Sequence, residues 1–136
     1  RLAHLTKECP KPLLKIGDQP VLETIIKGFI EHGFQQFVIS VNYQSEMIEN
    51  YFQDGRQWGA SIDYLREKKA LGTAGALSLL EKSLGHPIIV MNGDLLTKLN
   101  FRSLLEFHQD HDALITMCVR EYDFQVPYGV VKLDGY

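Results

Sequence analysis

The feature that most constrains this chain is an alternation, in which short runs of β-branched and apolar residues are separated by segments of helical period about ten residues long. Residues 21–32 carry Ile25, Phe29 and Ile30 on one side and meet Gly33, a natural helix stop. Residues 37–41 (Phe-Val-Ile-Ser-Val) then read as a strand, and residues 45–52 regain helical spacing through Met47, Ile48, Tyr51 and Phe52. A strand at 62–65 follows, then a turn rich in glycine that opens a helix to about Lys82. The run 88–92 reads as a buried strand, 101–111 as a further helix, and 114–119 and 128–133 as closing strands. Strand-helix alternation of this kind predicts an α/β three-layer sandwich with a mainly parallel sheet. In such sheets ligands bind beyond the carboxyl ends of strands, so the turn after Leu65 and the Gly93-Asp94 pair after Asn92 carry the most weight.

Composition narrows the function classes. With 136 residues, 45% of them hydrophobic and 23% charged, the chain can bury a core as one domain. A net charge of −3 argues against a broad nucleic-acid surface, which needs a basic excess. The charge is uneven: residues 1–17 hold Arg1, Lys7, Lys11 and Lys15 against Glu8 alone, which suits a small anionic ligand. The apolar run around 87–91 is far shorter than the ~20 residues needed to cross a bilayer, and no signal segment opens the chain, so a cytoplasmic protein without membrane contact is expected. Cys9 and Cys118 lack the paired spacing of a zinc site or a disulfide framework. The chain starts at Arg1 without an initiating methionine and stops at Tyr136 just after an apolar run, which predicts a piece of a longer protein.

Three motifs carry chemistry. Asp94 ends an apolar strand, where a carboxylate has no packing role; Mg²⁺ suits it, since that ion is held by one or two carboxylates and by substrate phosphates. The competing use of Asp94 is an ordinary turn residue. Leu71-Gly72-Thr73-Ala74-Gly75 places glycines and free N–H groups where a flat base can approach the backbone, the competing reading being a plain helix start capped by Thr73. Arg1-Leu2-Ala3-His4-Leu5-Thr6, followed by Pro10-Lys11-Pro12-Leu13-Leu14, supplies the cations. The five histidines show no ligand clustering, and Trp58, Tyr51 and Phe52 read as core.

Taken with Asn92-Gly93-Asp94 and Tyr128-Gly129-Val130-Val131, in that order and across the whole chain, these motifs resemble the sugar-1-phosphate nucleotidyltransferases. One departure is His4, where the family pattern has proline. The resemblance implies a Rossmann-like (GT-A-like) sheet, and a partial nucleotidyltransferase domain over 1–136, with a glycine-rich start before Arg1 and a sugar-binding half after Tyr136. It implies transfer of a nucleoside monophosphate from an NTP to a sugar 1-phosphate with Mg²⁺, and an isolated fragment without activity. Arg1 would hold the departing pyrophosphate through its planar fork and Lys11 would act as a point charge near the α-phosphate. Gly72 and Thr73 would take the nucleotide, Asp94 the metal and Gly129 the sugar. Glu67 stands where relatives that use uracil or thymine carry glutamine; an acceptor-only carboxylate matches guanine N1–H and its amino group, which points to GTP, the competing reading being one of several solvated charges in Arg66-Glu67-Lys68-Lys69. A non-catalytic binding or regulatory module of the same fold is the alternative, and retention of Arg1, Lys11 and Asp94 argues against it. A glycosyltransferase ranks last, for lack of an Asp-x-Asp motif. The sugar and the oligomeric state, a homo-oligomer included, are left open.

Overall fold

The computed structural model describes residues 9–80, 85–125, 127–129, 131 and 134. Pro10 fixes an extended φ of −63° and starts a single 3₁₀ turn, Lys11–Leu13, closed by the Leu13 and Leu14 N–H groups donating to Pro10 and Lys11 carbonyls. A two-residue hairpin follows, β1 (Lys15–Ile16) against β2 (Gln19–Pro20), reversed at Gly17 with φ +68°. The Val21 N–H reaches back to the Leu14 carbonyl at 3.0 Å, so the lysine-bearing turn is tied to the first helix.

That helix, α1 (Val21–Glu31), buries two rows of side chains. Leu22 and Ile26, one turn apart, join Val41, Ile48, Phe52 and Ile62 in one cluster. Val21, Ile25 and Phe29 join Phe101 in a second, where the Phe29 and Phe101 rings stack at 3.7 Å. The helix ends where the pattern predicts: His32 caps it and Gly33 takes φ +87°.

Strand β3 (Gln36–Val41) runs parallel to β4 (Ser61–Arg66), in register from Gln36 opposite Ser61 to Val41 opposite Arg66. The crossover carries α2 (Ser45–Phe52), as a parallel pair requires. Its Phe52 is 0% exposed and anchors the first cluster with half-buried Trp58 packed against it, as expected, whereas Tyr51, also expected in the core, is 39% exposed because it sits at the edge of the cluster with its ring against Phe52 and Trp58. Helix α3 (Phe101–Asp110) starts at Asn100, whose side chain accepts from the Ser103 N–H, and docks through Phe101.

Two expectations change. The helix foreseen from the glycine turn to about Lys82 is, over its described residues, a short 3₁₀ segment, Gly75–Leu79, in which the Ser78 hydroxyl donates to the Gly75 carbonyl at 2.7 Å; Lys82 lies outside the described residues. Thr73 does not cap it; the cap position is Ala74 and lacks a side-chain bond. Residues 88–92 and 114–119 form no strand, since no neighbouring strand among the described residues meets their N–H and C=O groups; Leu114 is 100% and Ile115 86% exposed. Of the strand expected at 128–133, Val130, Lys132 and Leu133 lie outside the described residues, and 128, 129 and 131 are not in a strand.

Candidate functional site

A sheet of parallel strands presents its ligand-binding edge where the strands end, here at Val41 and Arg66. At the end of β3 and just beyond it, residues 40–43 face the Pro10-Lys11-Pro12 turn across an open cleft of about 360 Å³, floored by Ile48 of α2. The turn's prolines set the backbone and leave the Lys11 side chain exposed at the rim.

Directly after β4 comes Glu67. Its N–H donates to the Val41 carbonyl at 2.9 Å, extending the ladder by one rung. Its carboxylate is clasped on both oxygens: the Ser40 hydroxyl donates to Oε1 at 2.5 Å and the Leu71 N–H donates to Oε2 at 2.9 Å. Those two bonds, the Ser40 bond first and the Leu71 bond second, hold the carboxyl below the usual carboxylate range. The neighbouring Arg66 turns the other way and makes a forked pair with Glu49 of α2.

Beyond Leu71, Gly72 has φ +82°, a conformation that favours glycine, and nothing lies within 4 Å of where a Cβ would stand. Gly72 and Thr73 are both exposed, so the backbone of the turn is open to a planar ligand. Gly93 packs on the other side of the lysine turn, with Pro12 Cγ 3.8 Å and Leu22 Cδ1 3.6 Å from its would-be Cβ. Asp94 therefore follows a residue seated against the Pro10-Lys11-Pro12 turn, and it is exposed.

Lys11 and Ser40, the partner of Glu67, line the cleft at the carboxyl end of β3, and Gly93 packs against Pro12 of the same turn; Glu67, Gly72, Thr73 and Asp94 do not line the cleft itself. Gly129 is exposed, with open space at its Cα, and does not line the cleft. Arg1 lies outside the described residues. The sequence reading passed over Ser40, Asn42 and Tyr43, although its own rule of weighting residues at strand ends applied to β3 as much as to β4.

No group of three or more His, Cys, Asp or Glu is placed to hold a metal among the described residues. An exposed lone Asp94 fits Mg²⁺ only as a partial donor set, which that ion accepts when phosphate oxygens and water complete its six ligands. His108 binds Thr116 Oγ1 through Nδ1 at 2.9 Å, while His111 Nδ1 contacts the Phe107 carbonyl at 2.8 Å. No helix among the described residues is long and apolar enough to cross a membrane.

The family model for nucleotidyl transferases matches residues 1–136. The mannose-1-phosphate guanyltransferase of Pichia angusta is 37% identical over 138 residues, covering 98% of this chain and 38% of that protein. The mannose-1-phosphate guanylyltransferase catalytic subunit beta of Danio rerio is 33% identical over 139 residues, covering 99% of this chain and 39% of that protein. The chain thus spans roughly two fifths of the length of these relatives. Among solved structures, HddC from Yersinia pseudotuberculosis superposes with a TM-score of 0.70 at 25% identity, over 81% of this chain and 49% of that one. The α/β, Rossmann-like class expected from strand-helix alternation stands on that likeness.

Proposed function

This chain belongs to the nucleotidyl transferase family, and from that premise we propose that it forms the nucleotide-binding portion of an enzyme that moves GMP from GTP to a sugar 1-phosphate and releases pyrophosphate. The names of its relatives make mannose 1-phosphate the acceptor to try first. The observation that supports the reading is the Pro10-Lys11-Pro12 turn facing the end of β3 across an open cleft, with Gly93 seated against the same turn and Glu67 bonded to Ser40, which lines that cleft. A cation, a backbone surface for a base and a hard oxygen donor are what a nucleoside triphosphate requires.

In the reaction a phosphate oxygen of the sugar attacks the α-phosphorus while the bond from that phosphorus to the β-bridging oxygen breaks, and pyrophosphate leaves with the electron pair. The protein contributes positioning and charge. Lys11 sits at the rim of the cleft on a turn fixed by two prolines, so its ammonium can meet the α-phosphate and the incoming sugar phosphate without a large loss of backbone entropy. Gly72 and Thr73, on the nucleotide side with Glu67, leave the backbone bare for the base. Arg1 takes the pyrophosphate and Gly129 the sugar in this scheme. Asp94 is the residue that would hold Mg²⁺, which when bound shields the charge of the triphosphate.

Substitution at Lys11 and Asp94 tests the scheme. In the full-length protein Lys11→Ala and Asp94→Ala each lower pyrophosphate release by about a hundredfold or more, with the fold intact by circular dichroism, since each removes charge without opening a core cavity. Chelation of divalent ions abolishes the reaction and Mg²⁺ restores it. Turnover unchanged in either variant assigns that residue to ordinary surface.

A further inference from the structure

The carboxylate that the sequence offers as a reader of the base is already engaged within the protein. Both of its oxygens accept hydrogen bonds from the protein itself, one from Ser40 at the end of β3 and one from the Leu71 N–H, four residues further on. With the Glu67 N–H donating to Val41, the residue joins three points: the end of β3, the start of the loop after β4, and the first residue of the glycine turn. The turn is held at a second point as well. A Cβ at Gly75 would stand 2.6 Å from Leu71 Cβ, so the Leu71 side chain lies across the Gly75 backbone and leaves no room for any side chain there. Between these two anchors lie Gly72, Thr73 and Ala74, exposed, with Gly72 at φ +82°. Left untethered, such a segment samples many backbone states, and each binding event has to bear the entropy of ordering it.

We infer that Glu67 is a positioning residue, which fixes the turn at residues 71–75 against the end of β3 and thereby presents the backbone of Gly72 to the nucleotide, rather than a group that reads the base through its carboxylate. This rests on the nucleotide-binding reading above. The chemistry of the clasp separates the two roles. A glutamine at 67 can rebuild the clasp: its carbonyl oxygen accepts from the Leu71 N–H, and its amide donates to the Ser40 hydroxyl, which serves as acceptor as readily as donor. A glutamine cannot present two acceptors to guanine, so a base-reading role does not survive the exchange.

The experiment uses the full-length protein and compares GTP, UTP, dTTP and CTP in pyrophosphate release with a sugar 1-phosphate, alongside GTP titration by calorimetry. Glu67→Ala raises KM for every accepted nucleotide by one common factor of roughly tenfold while kcat changes by less than about twofold, as expected for loss of a charge-assisted bond that preorganises binding. Glu67→Gln stays within about threefold of the unmodified protein and keeps its ratio of GTP to UTP, because the hydrogen bonds are rebuilt. Ser40→Ala, which removes one bond of the clasp, falls between them, and it decides the matter with Glu67→Gln should the alanine variant at 67 fail to fold. A collapse of the GTP-to-UTP ratio in Glu67→Gln overturns the inference in favour of direct reading. So does a KM unchanged in both Glu67→Ala and Ser40→Ala. Calorimetry reads the same factor in Kd without turnover, so an unmodified protein that binds GTP but releases no pyrophosphate counts against the enzyme reading alone.

Discussion

Glu23 shows how a charged residue is kept in the core of this chain. It lies on the buried face of α1, and burial by itself opposes its ionisation. Hydrogen bonds from Lys27 Nζ at 2.7 Å and from the Tyr51 hydroxyl of α2 at 2.5 Å, with the charges of Lys27 and Lys15, outweigh that penalty and hold the carboxyl below its ordinary value of 4.5. A carboxyl lowered by folding stabilises the fold fully above pH 4.5, and that stability fades as pH falls from there through the lower folded value. The partner moves the other way: the Glu23 bond, then burial, raise the Tyr51 hydroxyl above 10.0, so its share persists below pH 10 and fades as pH rises through the higher folded value. Tyr51→Phe should therefore cost about 1 kcal/mol near neutral pH, and the difference should shrink below pH 4.5 as the carboxylate protonates. Urea unfolding at pH 7 and pH 3 checks this; an equal difference at both values means the hydroxyl bond carries none of it.

At the scale of elements, the sharpest test lies where α2 turns back toward β4. Gly55 is buried at φ +82°, and a Cβ there would stand 2.7 Å from Ile62 Cγ1 and 3.1 Å from the Ala60 carbonyl. Ile62 belongs to the first core cluster and cannot swing aside. Gly55→Ala should therefore destabilise by about 3 kcal/mol, from a disfavoured backbone conformation together with overpacking. Urea unfolding reads this as well, and a loss under about 0.5 kcal/mol shows that the turn relaxes freely. The helices α1, α2 and α3 and the strands β3 and β4 are periodic and bury one face against each other, so hydrophobic spacing located each within a residue or two. Residues 88–92 and 114–119 have the composition of strands, but a strand also needs a partner, and composition cannot say where that partner is. Site residues divide in the same way. Lys11, Gly72 and Asp94 announce themselves by local motif, whereas the clasp of Ser40 on Glu67 joins residues 27 apart and exists only once β3 and β4 lie side by side.

For the molecule as a whole, core and cleft meet at Val41 and Ile48, which belong to the first cluster and also line the cleft. Lys11 stands at the rim on an exposed turn outside both clusters, so its charge can be altered without opening the core. The reaction proposed for the full-length protein is group transfer between two phosphorylated substrates. It is followed through pyrophosphate and nucleotide-sugar formation by that protein supplied with each of the four NTPs and mannose 1-phosphate, each also offered alone. Equal amounts of the two products are expected only when both substrates are present, with GTP preferred. Release of pyrophosphate without the sugar phosphate, or no nucleotide sugar from any pairing of NTP with sugar 1-phosphate, would contradict it.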